Sequence, residues 1–225
     1  MATYITGDCH QRFDKIYNFI YKMNLTENDN IIVLGDMGLF WRYDKQDADM
    51  IIDFYEDQFK CNLYFIDGNH ENFNLLKHIP IIDATGIGKV SKHIFYIPRG
   101  TVVNFEGKKC LCLGGADSID KGRRTENLGW WADEQITQEQ IDNVIAGHYD
   151  YVFTHAAPRD IVDYNKAILC DPRFADLDID TTSENRLQQL RDKITFDHWC
   201  FGHYHQDVHL DDKYACYFHS FEEVK

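Results

Sequence analysis

Residues 31–36 read Ile31-Ile32-Val33-Leu34-Gly35-Asp36, four consecutive apolar residues closed by a glycine and a carboxylate. A short apolar run without alternation predicts a strand buried on both faces, as in a parallel sheet covered by helices. Working outward, residues 3–7 predict a shorter apolar strand, and Phe13, Ile16, Tyr17 and Ile20 recur at helical spacing within 13–23. Downstream, Ala48, Ile51, Ile52, Tyr55 and Phe59 form a second helical stripe, and Leu63-Tyr64-Phe65-Ile66 forms a third strand ending at Asp67-Gly68. The order βαβαβ implies parallel strands with helical crossovers.

The second half predicts short strands at 93–97, 101–105 and 109–113, the last two a hairpin across Glu106-Gly107-Lys108. A helix is expected over 138–146, a strand at 151–154, and a polar helix over 183–192 with Ser183 as its cap. Strands at 197–201 and 208–210 follow, and 214–219 closes a hairpin over Asp211-Asp212-Lys213. The fold class expected is α/β, with two mixed β-sheets packed face to face and helices outside. No repeat or Pro-rich linker divides the 225 residues, so a single domain over 1–225 is expected.

A hydrophobic content of 44% suffices for a sizeable core, and 23 basic against 37 acidic side chains leave a net charge of -14. Such a surface repels phosphates at long range, so non-specific duplex DNA binding is not expected. No apolar run approaches the ~18 residues that a membrane span needs, and the first residues lack a signal-peptide pattern. Seven cysteines without a CxxC pair read as reduced thiols, which with the plain start suggests a cytoplasmic location.

Five polar groups recur just after expected strands. Gly7-Asp8-Cys9-His10 places a carboxylate and an imidazole two residues apart, on one side of an extended chain, a pair suited to Mn, Fe or Zn. In Gly35-Asp36 the carboxylate is either a turn residue or a bridge between two ions. Gly68-Asn69-His70-Glu71 offers a sharp turn at Gly68, a carbonyl oxygen from Asn69 or else a helix cap there, and a proton donor at His70. His155 ends another apolar strand, as a ligand or as a structural histidine, and Gly202-His203-Tyr204-His205 again sets two imidazoles two apart.

Taken in order, from Asp8 to His205, these five groups resemble the calcineurin-like metallophosphoesterase superfamily. The resemblance implies a four-layer αββα sandwich with a site for two divalent metal ions, manganese ahead of iron, nickel or zinc. It implies Asp8, His10 and His205 on one ion, Asn69, His155 and His203 on the other, and Asp36 bridging them. It further implies in-line attack on phosphorus by a metal-bridging hydroxide, with His70 assisting the leaving group.

The protein-phosphatase branch continues its motif as Gly-Asp-x-x-Asp-Arg-Gly, whereas this chain reads Gly35-Asp36-Met37-Gly38-Leu39-Phe40-Trp41-Arg42. A phosphodiesterase acting on a small or nucleotide-like substrate is therefore expected. The alternatives are a phosphomonoesterase or protein phosphatase, a nuclease, and a non-catalytic metal-containing binding module. The loop after Gly114-Gly115 offers Arg123 and Arg124 as a phosphate clamp and Trp130 or Trp131 as a stacking surface. Its bland alternative pairs the arginines with Asp117, Asp120 or Glu126 and packs the tryptophans. Trp41 and Arg42 make a second candidate wall. No membrane partner is expected, and the oligomeric state is left open.

Overall fold

Each of the first three strands alternates its side chains between two apolar layers, and that alternation builds the molecule. In β1 (Thr3–Thr6), β2 (Asn30–Val33) and β3 (Asn62–Phe65), Tyr4, Ile31, Val33, Leu63 and Phe65 face outward to helices. Ile5, Ile32 and Tyr64 face inward, joined by Leu34 and Ile66 just past their strands. Helices α1 (Asp14–Met23) and α2 (Lys45–Glu56) make the crossovers and bury Ile16, Ile20, Ala48 and Ile52. The pairs β1–β2 and β2–β3 are parallel, as the βαβαβ pattern requires. The computed structural model describes residues 1–41, 44–82, 84–174 and 179–225.

After the short helix α3 (Phe73–Leu76) come β4 (Ile81–Ile82), β5 (Ile87–Lys89) and β6 (Ile94–Tyr96). The hairpin β7 (Thr101–Phe105) and β8 (Lys108–Leu113) follows, then α4 (Gln138–Asn143) and β9 (His148–Thr154). Helices α5 (Arg159–Tyr164), α6 (Lys166–Leu169) and α7 (Thr182–Lys193) precede β10 (Thr195–Phe201). β11 (Val208–His209), β12 (Tyr214–Cys216) and β13 (Glu222–Glu223) end the chain. Among the described residues the strands form a seven-stranded sheet, β13-β1-β2-β3-β6-β5-β4, and a six-stranded sheet, β11-β12-β10-β9-β8-β7.

The second sheet repeats the alternation. Leu111, Leu113, Val152, Trp199 and Phe201 face α4, α5 and α7, whereas Cys110, Cys112, Tyr151, Phe153 and Cys200 meet Ile5, Ile32, Leu34 and Ile66 of the first sheet. Three apolar layers thus separate helix, sheet, sheet and helix, which is the expected sandwich of two mixed sheets. All seven cysteines are free thiols, six of them buried, and no helix among the described residues is long and apolar enough to cross a membrane.

Some local expectations fail. Ser183 does not cap α7; Thr181 precedes the helix, and Ser183 is buried inside it with its Oγ accepting the Ile136 N–H at 3.1 Å. α4 stops at Asn143 rather than 146, because Val144 turns to extended backbone. β4, β5, β13 and the helices α3, α5 and α6 are short, and none was anticipated.

Candidate metal centre

β1, β2, β3, β9 and β10 all run in the same sense within their sheets, and the expected polar groups follow their carboxyl ends. Ligands gather there in open α/β sheets because successive loops converge on one edge. The loops are stitched together by backbone: Cys9 and His10 donate their N–H groups to the Asp36 carbonyl at 3.0 and 2.9 Å. Lys15 on α1 donates from Nζ to the carbonyls of Gly7 and Asp8 at 2.7 and 2.8 Å.

His10, Asp36, His203 and His205 have φ of 44, 49, 67 and 53°, left-handed backbone that costs a side-chain-bearing residue of order 1–3 kcal/mol. Spacing two in an extended chain therefore does not explain why Asp8 and His10 meet; both lie beyond β1, and a left-handed turn brings the imidazole back. The same geometry separates His203 from His205, which approach different neighbours. At Gly68, where a sharp turn is expected, a Cβ would collide with the Asp36 carboxylate and backbone N, so the residue serves close approach.

The donors form two groups. Asp8 Oδ2 lies 3.0 Å from His205 Nε2 and 3.4 Å from His10 Nε2, and those two ring nitrogens are 2.9 Å apart. Asp8, Asp36 and His155 make the second group, with donor atoms all within 4.8 Å of one another. Asp36 Oδ2 stands between the groups, 3.7 Å from His10 Nε2 and 3.5 Å from His155 Nε2. Asn69 Oδ1 lies 3.1 Å from His155 Nε2. The His203 ring packs 5.0 Å from that of His155, and its backbone N–H holds Asp8 Oδ1 at 2.9 Å. Asp36 Oδ1 accepts the His70 N–H at 2.8 Å, which leaves Oδ2 to face the cleft.

The buried carboxylates and imidazoles of the site shift one another's charge. Burial alone raises the Asp8 carboxyl, but His155, with His10 and His205, holds it well below the usual carboxylate range. Asp36 is likewise lowered, burial being outweighed by His155 and His70. Burial lowers His155, yet Asp36 and Asp8 reverse this and push it up to about 9. His155 donates Nδ1–H to the Leu34 carbonyl at 2.7 Å, so Nε2 is the atom offered to the cleft oxygens. Facing imidazole nitrogens and buried carboxylate oxygens suit Mn, Fe or Zn, so the residues present fit the divalent ions expected.

His70 occupies the rim. Its ring lies 5.4 Å from that of His10 and 4.8 Å from that of Trp41. Arg124 Nη2 lies 3.2 Å from His70 Nε2. A guanidinium only donates, so Nε2 accepts and the neutral ring carries its proton on Nδ1, which is buried with no hydrogen-bond partner among the described residues. Burial first, then Arg124 among others, pushes His70 down to about 4.

The substrate-side expectations divide. Arg124 is turned inward and paired with Asp120 through Nε at 2.9 Å, so the local-pairing alternative holds for it and it is not a free clamp. Arg123 is exposed in the 3-10 turn Lys121–Arg123. Trp130 is partly buried with Lys121 Nζ 6.0 Å over its ring. Trp131 is 2% exposed within the apolar layer of the first sheet and cannot stack on a ligand; a large apolar ring beside a core gains more from burial. Arg42 lies outside the described residues. Glu71, given no role by motif reading, is fully buried and accepts the Met37 N–H at 2.8 Å, which braces the Asp36 turn.

A family model described as calcineurin-like phosphoesterase matches residues 1–207. No curated protein matches the chain.

Proposed function

Since the chain belongs to the calcineurin-like phosphoesterase family, and is thereby a metal-dependent phosphoric ester hydrolase, we propose that it is a phosphodiesterase acting on a small, nucleotide-like substrate. We assign Asp8, His10 and His205 to one ion and Asn69, His155 and His203 to the other, with Asp36 shared. The observation that carries this assignment is Asp36 Oδ2, poised between His10 Nε2 at 3.7 Å and His155 Nε2 at 3.5 Å. When bound, two divalent ions supply Lewis acidity toward phosphoryl oxygens and lower the pKa of water held between them.

The chain's own residues orient the substrate. Arg124 donates to His70 Nε2 and so keeps the ring neutral with its proton on Nδ1, and the ring's place beside His10 and Trp41 supports a role for it toward the departing group. Trp41, beside both His70 and His10, offers a flat wall to a nucleobase or aryl leaving group. The diester preference is supported by the residues after Asp36, which supply neither the second Asp nor the Arg of the protein-phosphatase motif.

The test is turnover of bis-p-nitrophenyl phosphate against p-nitrophenyl phosphate by the manganese-loaded protein. The diester is expected to turn over faster; a reversed preference removes the diesterase assignment. His70→Ala should retain both ions and lose about 10²–10⁴-fold in rate, chiefly for poor leaving groups. A His70→Ala protein empty of metal would instead make His70 a ligand and overturn the division of roles.

A further inference from the structure

Asn69 is 4% exposed, and a primary amide can present either its oxygen or its NH₂ to a metal site; only the oxygen binds a cation. Nothing in the Gly68-Asn69-His70 motif decides between the two. The decision lies in the segment after Gly114-Gly115, with a residue that motif reading passed over. Asn69 Nδ2 donates to Ser118 Oγ at 3.0 Å, and Ser118 Oγ donates to Glu134 Oε2 at 2.8 Å. The Ser118 backbone N–H donates to the other oxygen, Glu134 Oε1, also at 2.8 Å. Ser118 and Glu134 are 3% and 0% exposed, so no solvent competes for these groups.

A carboxylate only accepts, and a serine hydroxyl has one proton. Once that proton is given to Glu134, the remaining lone pairs of Ser118 can only accept, and the group they meet must be the Asn69 NH₂. Arg124 Nη1, at 3.4 Å, occupies the same accepting side of Ser118. The Asn69 carbonyl is thereby directed the other way, toward His155 Nε2 and the cleft. Glu134 is itself held by backbone: its carbonyl accepts from the Ala116 N–H at 3.1 Å and from Arg99 Nη2 at 3.0 Å.

We propose that Ser118 and Glu134 are positioning residues whose hydrogen-bond polarity locks Asn69 with its oxygen toward the second metal ion. The inference rests on the assignment of Asn69 as a ligand, made above. Glu134→Gln is the sharpest probe because it keeps shape and changes polarity. With the Gln oxygen retained by the Ser118 N–H, its NH₂ faces the hydroxyl. Ser118 then accepts there, and its proton, no longer taken by a carboxylate, is released toward Asn69, whose amide turns and puts NH₂ into the cleft. Burial pushes the Glu134 carboxyl up to about 7, so the comparison is made at pH 8.

Mn²⁺ binding by calorimetry and equilibrium dialysis should show one of two ions bound roughly 10–100-fold more weakly in Glu134→Gln, the range for groups that orient metal ligands. Ser118→Ala should weaken the same ion, with the other unchanged in both variants. EPR of the partly loaded variants should show isolated Mn²⁺ where the wild type shows a coupled pair. Wild-type binding of both ions in both variants overturns the proposal, as does equal weakening of both ions together with a fall in melting temperature. Asn69→Ala separates the two levels. If it alone loses one ion, the ligand set stands and the polarity relay falls; if it too binds as wild type, the assignment of Asn69 falls with it.

Discussion

Asp36 meets three demands: a left-handed backbone, a carboxylate oxygen held by the His70 N–H, and a second oxygen left for cations. Asparagine tolerates left-handed backbone and keeps the accepted hydrogen bond, so Asp36→Asn should fold yet hold fewer than two ions and lose activity with them. Metal analysis after gel filtration checks this, and full occupancy with lost activity would contradict it. The same carboxylate governs the response of the EDTA-treated protein to pH. His155 has a folded pKa of about 9, above its ordinary 6.5, so its stabilising charge is complete below about 6.5 and is lost as pH rises through 9. Melting temperatures of the metal-free protein should fall from pH 6.5 to 9.5, and the slope should flatten in Asp36→Asn. The donor residues themselves were legible as residue types after apolar strands. Their paths were not, because the turns at His10 and His205 depend on tertiary hydrogen bonds that spacing does not reveal.

At the scale of elements, the junction of β3, β6 and the turn Ala132–Glu134 hangs on one buried ion pair. Arg99 donates through Nε to Asp67 Oδ2 at 2.8 Å and through Nη1 to the Gln135 carbonyl at 2.8 Å, while Tyr96 Oη donates to Asp67 Oδ1 at 2.9 Å. Asp67 is 0% exposed and leads directly into Gly68-Asn69. Arg99→Met leaves that carboxylate buried and uncompensated, so urea titration should show a loss of about 3–5 kcal/mol. A change under 1 kcal/mol would mean that the carboxylate is reached by water. The long elements here were legible: β1–β3 from apolar runs, α1 and α2 from helical stripes, β7–β8 from a Gly-containing hairpin. α3, α5 and α6 span only four to six residues, too few for a 3.6-residue period to register, and β4 and β13 have two each. For Trp131 the packed alternative holds: in a loop the residue reads either as a ligand surface or as a packed ring, and the folded chain shows it filling the core.

Across the whole molecule, the candidate donors come from both sheets: Asp8, His10, Asp36 and Asn69 follow strands of the first, His155, His203 and His205 strands of the second. Their order along the chain made the family legible, since five separate strand ends each supply a fitting group; neither the substrate nor the inward turn of Arg124 has any such pattern. The sheets meet through an apolar layer, and ions held jointly by both would act as a second clamp at the polar edge. A ligand that binds only the native state stabilises it by RT ln(1 + [L]/Kd), about 2.7 kcal/mol at a hundredfold excess over Kd. Addition of Mn²⁺ to the metal-free protein should therefore raise its melting temperature as one cooperative transition, with the size of the rise following metal concentration. Asp36→Asn, which removes the shared oxygen, should lose most of the rise. Separate melting of two halves, only one of them metal-sensitive, would mean that the ions sit within one sheet's loops and that the two-sheet clamp does not exist.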